Sequence, residues 1–167
     1  MKALVVIHSQ SGNTAAFARG LAHNLRLRGH NSDVALLRPQ GRLRPRMGTV
    51  SLARTPSIEG YDTLLCGGPV WGFTASPVIL TFLRLQESLH GIRVFNFVTK
   101  GLPFAFTGGS QALAAMNREA HRAGATLIAG HIQFRAHNTG QTLNETVDAL
   151  GLRLIQMPDA GNRFDDL

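Results

Sequence analysis

The chain has 167 residues, 44% of them hydrophobic, a size and composition that suit one domain with a substantial core. Seventeen Lys and Arg against ten Asp and Glu give a formal charge of +7 and a sequence pI near 11.2, while the single Cys66 excludes an internal disulfide and suits a reducing compartment. The apolar stretch before His8 is too short for a signal peptide and no apolar run reaches membrane-spanning length, so the cytoplasm is the expected location.

The first element is the run Ala3-Leu4-Val5-Val6-Ile7, continuous, apolar and β-branched, as a strand buried on both faces should be. Phe17, Ala18, Leu21, Ala22 and Leu25 then recur at helical spacing. Between the two lies Ser9-Gln10-Ser11-Gly12-Asn13-Thr14, a sharp strand-to-helix turn that exposes backbone N–H groups at the positive end of a helix dipole, where a phosphate binds. The turn lacks the Lys-Ser/Thr ending of a nucleotide-triphosphate cradle and the three glycines of a dinucleotide fingerprint. Three hydroxyls, the amides of Gln10 and Asn13 and one glycine remain, and hydroxyls can donate to a phosphate monoester without a cation. The alternative is a plain N-cap by Ser11 or Asn13 with no ligand.

After the break at Gly29-His30-Asn31, Asp33–Leu37 is a short second strand. Residues 38–54 carry Arg38, Arg42, Arg44, Arg46 and Arg54 with no acid, and Pro39, Gly41, Pro45 and Gly48 argue against a regular helix there, at least in the first half. Tyr61 to Gly68 is a third strand, running into Pro69-Val70-Trp71-Gly72-Phe73. Two aromatics flanking a glycine at the carboxyl end of a strand suit the covering of a flat ring better than a core. Ser76-Pro77 opens a helix bearing Val78, Ile79, Phe82 and Leu83. Val94–Val98 is the fourth strand, ending in the loop Thr99-Lys100-Gly101, with a longer loop onward to Gly108-Gly109. A helix capped by Ser110 runs to Ala123, Thr126–Phe134 is the fifth strand, and Thr142–Ile155 is the last helix. The domain spans 1–156, and 157–167 is a short, acidic, loose tail. Three strand ends thus carry loops of ligand-contacting character, where an open α/β sheet binds its ligands.

In this order and spacing, the motifs at 9–14, 61–73 and 97–101 resemble the flavodoxin family, and the resemblance extends from Met1 to about Gln156. It implies a single-domain three-layer α/β sandwich with a five-stranded parallel sheet in the order 2-1-3-4-5, closer to the short-chain flavodoxins, and noncovalent FMN. Carried over residue by residue, Ser9, Gln10, Ser11, Gly12, Asn13 and Thr14 would hold the FMN phosphate. Pro69, Val70, Trp71, Gly72 and Phe73 would run along the isoalloxazine, and Thr99, Lys100 and Gly101 would line its other edge. Gly72 can turn its peptide at little cost, which the resemblance links to the reduced ring.

The basic charge departs from the acidic electron-carrying members of the family. An acidic protein partner could dock through Arg38, Arg42, Arg44, Arg46 and Arg54, an anionic membrane surface is also open, and nucleic acid is the less favoured because no aromatics interleave with these arginines as single-strand binding would ask. A solvated loop with no dedicated partner is the plainer alternative. Lys100 is either a tuner of the flavin or a solvated loop lysine. His8 either reaches the ligand or caps its strand, and His131 and His137 lack metal-site spacing. The favoured function is an FMN-dependent oxidoreductase, similar to NAD(P)H:quinone reductases, passing electrons from a reduced nicotinamide or protein donor to a quinone or similar acceptor. The alternatives are a non-enzymatic electron carrier and a flavin-free binding module using the basic loop.

Overall fold

The computed structural model describes residues 1–101, 108–137 and 140–157; the expected tail past Met157 and most of the expected loop before Gly108 lie outside the described residues. Six strands follow one another: β1 (Lys2–Ile7), β2 (Asn31–Leu36), β3 (Thr63–Trp71), β4 (Thr74–Ala75), β5 (Arg93–Lys100) and β6 (Thr126–Phe134). The helices are α1 (Asn13–Leu27), α2 (Pro77–Arg84), α3 (Gly109–Arg122) and α4 (Gly140–Gln156), with a 3₁₀ turn at Arg135–His137. Among the described residues no helix is long and apolar enough to cross a membrane.

The sheet order is β2-β1-β3-β5-β6, all parallel, with the two-residue β4 added antiparallel to β3. Leaving β4 aside, this is the expected 2-1-3-4-5 winding. Side chains of the central strands alternate between two cores. Ala3, Val5, Ile7, Leu65, Phe95 and Phe97 pack under α1 and α4, while Leu4, Val6, Leu64, Cys66, Val94 and Val98 pack under α2 and α3. Burial on both faces is why β1 reads as an unbroken apolar run. Phe17, Leu21 and Leu25 form the fully buried stripe of α1. Each contributes about 1.5–3 kcal/mol of transfer free energy.

Gly67 of β3 makes room for an aromatic beneath the mouth of the sheet. A Cβ on it would lie 2.1 Å from the Phe97 ring, which meets Phe17 edge-on at 5.1 Å between centroids. In β6 an extra residue opposite Asn96 shifts the register, so that Phe95 pairs with Ile128 but Phe97 with His131.

Several boundaries differ from the sequence expectation, each through pairing that local periodicity does not report. β3 does not end at Gly68: Gly68 and Pro69 pair with Val98 and Thr99, and Val70 and Trp71 pair back with Ala75 and Thr74. Thr99 and Lys100 are not loop residues but the last two of β5, paired with Gln133 and Phe134 of β6. α3 begins at Gly109 with Gly108 as its N-cap at φ 86°, not at a Ser110 cap.

Residues 38–54 contain no helix, as the prolines and glycines of the first half predict for that half. They fold onto the α2 side instead. Gln40 N donates to Ser51 O (2.8 Å) and Ala53 N to Arg38 O (2.8 Å), around a Pro39–Leu52 bridge. Leu37 and Val50 are buried, and Val50 N donates to Thr81 Oγ1 of α2 at 3.0 Å.

Candidate functional site

The turn between β1 and α1 is built around Gly12. Its φ of 85° is left-handed, it is the N-cap of α1, and no side chain caps the helix from that position. Ser9 Oγ accepts from Ala15 N at 3.2 Å, and Asn13 Nδ2 donates to Ser11 Oγ at 2.9 Å. Thr14 is buried, its Oγ1 2.7 Å from Thr99 Oγ1. The three hydroxyls singled out in the sequence therefore divide. Ser9 and Thr14 are used inside the fold, the latter fastening α1 to the end of β5, while Ser11 is exposed beside Gln10.

The second wall is the hairpin formed by β3 and β4. Gly72 (φ 60°) and Phe73 (φ 66°) make its two-residue turn, and Ser76 N closes the base by donating to Pro69 O at 3.1 Å. A residue other than glycine in the left-handed region carries strain of about 1–3 kcal/mol. Phe73 sits at the tip, 57% exposed, whereas Trp71 is half-buried. A Cβ on Gly108 would come within 2.4 Å of Phe73 Cα, so the hairpin tip rests on the start of α3.

Ser11, Asn13, Pro69, Val70, Thr99, Lys100 and Gly101 line one cleft of about 180 Å³ at the carboxyl ends of β1, β3 and β5. The cleft joins all three expected loops. Trp71, Gly72 and Phe73 stand beyond its lining, toward the hairpin tip. Arg135, in the turn after β6, also lines it and escaped the sequence reading. The signal was available: β6 neighbours β5, so its carboxyl end must abut the Thr99–Gly101 region. Among the described residues no carboxylate lines the cleft, while Lys100, Arg135 and the amino end of α1 do, which makes it a place for an anion.

Lys100 is not the solvated loop lysine of the plainer expectation. It is 7% exposed, with Nζ 5.0 Å from the Phe134 ring centroid. His8 is buried, its Nδ1 2.6 Å from Ser76 Oγ, which also accepts from Val78 N as the N-cap of α2. With Ser76 donating to Nδ1, the ring is neutral, and desolvation holds its pKa down at about 4. His8 thus ties the phosphate-type turn to the base of the hairpin. Burial pushes the Cys66 thiol up to about 12, so it remains a protonated core residue. His131 stacks on Phe17 (5.5 Å) and meets Gln133 Oε1 at 2.8 Å, burial lowering its pKa. Among the described residues no cluster of His, Cys, Asp or Glu could hold a metal.

The arginine segment reaches this site at one point. Arg46 Nε donates to Gly72 O at 3.1 Å, and a Cβ on Gly72 would lie 2.7 Å from Pro45 Cβ.

A parallel sheet in this order, with helices on both faces and a cleft at the strand ends, defines a flavodoxin-like fold. Solved structures agree. Flavodoxin 2 of Bacillus cereus superposes with a TM-score of 0.68 at 16% identity, over 93% of this chain and 98% of that one. A flavodoxin of Streptococcus pneumonia gives 0.67 at 15% identity, over 93% and 98%. A flavoprotein of Lactobacillus acidophilus, solved in complex with FMN, gives 0.62 at 20% identity, over 79% and 93%. No protein-family model and no curated protein sequence matches the chain.

Proposed function

We propose that the chain binds FMN in this cleft and acts as an electron-transfer flavoprotein. The observation that carries the reading is the amino end of α1 at Gly12, opening on a cleft whose polar lining, among the described residues, is hydroxyl, amide and cationic with no carboxylate. Such a donor set fits a phosphate monoester. The flavodoxin-like fold and the FMN bound by the Lactobacillus acidophilus flavoprotein support the choice of cofactor.

In this reading Ser11, Gly12 and Asn13 hold the phosphate, with Ser9 and Thr14 setting the shape of the turn and Gln10 at its outer edge. Pro69, Val70, Trp71, Gly72 and Phe73 run along the ring, and Thr99, Lys100 and Gly101 line its other side. FMN, when bound, supplies the one- and two-electron chemistry. The residues bind it, orient it and screen one face from water. Electrons come from a reduced nicotinamide or a donor protein and pass to a quinone or similar acceptor. Arg38, Arg42, Arg44, Arg46 and Arg54 are all exposed and make no ion pair among the described residues, which supports an acidic protein partner at that face.

Titrating the purified chain into FMN tests the reading. Flavin fluorescence should be quenched and the melting temperature should rise, by the equivalent of about 2.7 kcal/mol at a hundredfold excess over Kd. The absence of both responses would end the proposal. With FMN bound, turnover of NADH or NADPH against a quinone identifies an enzyme, and its absence identifies a carrier between proteins.

A further inference from the structure

Among the described residues, only Arg46 (φ 60°) and Phe73 (φ 66°) take left-handed backbone angles without being glycine. Both bear on one peptide group, that joining Gly72 to Phe73. Arg46 Nε donates to its carbonyl oxygen, and Phe73 supplies its nitrogen. Strain that converges from two distant stretches of chain on a single peptide is held there by the surrounding structure.

Arg46 also differs from the other arginines of its segment. Among the described residues, the side chains of Arg38, Arg42, Arg44 and Arg54 make neither a hydrogen bond nor an ion pair, whereas the Arg46 guanidinium is fixed to the hairpin. A mobile, fully hydrated guanidinium spreads its field over many positions and is screened by salt. One fixed against the hairpin acts from a constant position. Lys100 is the other cation the sequence offers as a tuner, and its ammonium is turned onto Phe134.

We propose that Arg46 is a potential-setting residue: held on the Gly72 carbonyl, it is the point at which the arginine segment, as distinct from the cleft-lining Lys100 and Arg135, acts on the redox group. The inference rests on the FMN reading above. Reduction adds negative charge to the bound group, and a fixed neighbouring cation favours the reduced form, which raises the midpoint potential. An anion docked on the outward-facing edge of the same guanidinium offsets that effect, which links docking at the arginine segment to the redox equilibrium.

The test is the midpoint potential of the FMN-loaded full chain, read by spectroelectrochemistry, in wild type, Arg46→Ala, Arg46→Lys and Arg44→Ala. Arg46→Ala should move the potential to more negative values, with the preference for reduced over oxidised FMN falling roughly three- to tenfold, the range of one exposed charge at short distance. Arg46→Lys should keep most of the wild-type potential, and Arg44→Ala should change it much less than Arg46→Ala does. Should the alanine displace its segment, Arg46→Gly, which relieves the left-handed backbone while removing the guanidinium, should reproduce the same shift. Equal shifts at positions 44 and 46, no shift at 46, or Arg46→Lys behaving as Arg46→Ala would each overturn the proposal. If wild type fails to quench FMN fluorescence, the cofactor reading fails first, and that is visible before any potential is measured.

Discussion

His8 gives the sharpest link between the fold and a solution measurement. The residue is 3% exposed, its ring meets Ser76 Oγ at 2.6 Å, and its pKa lies at about 4 rather than 6.5. The folded protein therefore refuses a proton that the unfolded chain accepts. Stability from this residue is fully present above pH 6.5. It falls as pH drops below that value, because the unfolded state gains the proton first, and the loss is complete below about pH 4. A shift of that size corresponds to about 3 kcal/mol, an upper bound that water entry at the strand end reduces. Against a total of about 5–15 kcal/mol for a domain, even about 1–2 kcal/mol is measurable. The assay is urea unfolding from pH 8 to pH 4 for wild type and His8→Asn, whose amide can still reach Ser76 but does not titrate. His131, also lowered by burial, changes both proteins alike and cancels in the difference. Wild type should lose the extra stability between about pH 6.5 and 4, and the variant should not. Parallel curves, or an NMR titration placing His8 near 6.5, would refute the buried neutral ring and with it the bridge between the turn and the hairpin.

Two further substitutions probe the floor and the roof of the cleft. Gly67→Ala puts a methyl group 2.1 Å from the Phe97 ring, in a core closed by Phe17 and Phe95, and should destabilise by about 3 kcal/mol or more in urea melts. Adding Phe97→Leu should recover part of that loss; strictly additive losses would show that the two sites are not in contact. Trp71→Ala should weaken FMN binding by about 1–2 kcal/mol in a fluorescence titration while leaving the melting temperature of the cofactor-free chain nearly unchanged. An unaltered affinity would remove Trp71 from the ring.

What could be read from the sequence follows from how far each feature reaches along the chain. The order of strands and helices was legible because β1 and β3 are buried on both faces and α1 on one, and continuous or 3.6-spaced apolar residues record this locally. Ser76-Pro77 as the start of α2 was legible for the same reason, since capping is settled within three residues. The absence of a helix in the first half of residues 38–54 was equally open to view in its prolines and glycines. The length of β5 was not. Thr99 and Lys100 are polar, and only their partners in β6 keep them in the sheet. Nor was the division of labour among the hydroxyls of the first turn, because Thr14 is claimed by Thr99, 85 residues away.

The same distinction governs the site. A turn at the end of a strand announces its chemistry in composition, so the three loops could be named before their meeting was seen. Their electrostatics could not, because Lys100 is set by Phe134, Arg135 arrives with β6, and Arg46 reaches Gly72 across 26 residues. Counting charges along the chain assigns all five arginines of residues 38–54 equal weight. Folding ranks them, because four project into solvent and one is bonded to the hairpin beside the cleft. The basic character of residues 38–54 therefore bears on the cleft chiefly through the charge that is fixed, and Arg46 is the arginine of that segment bonded to the hairpin.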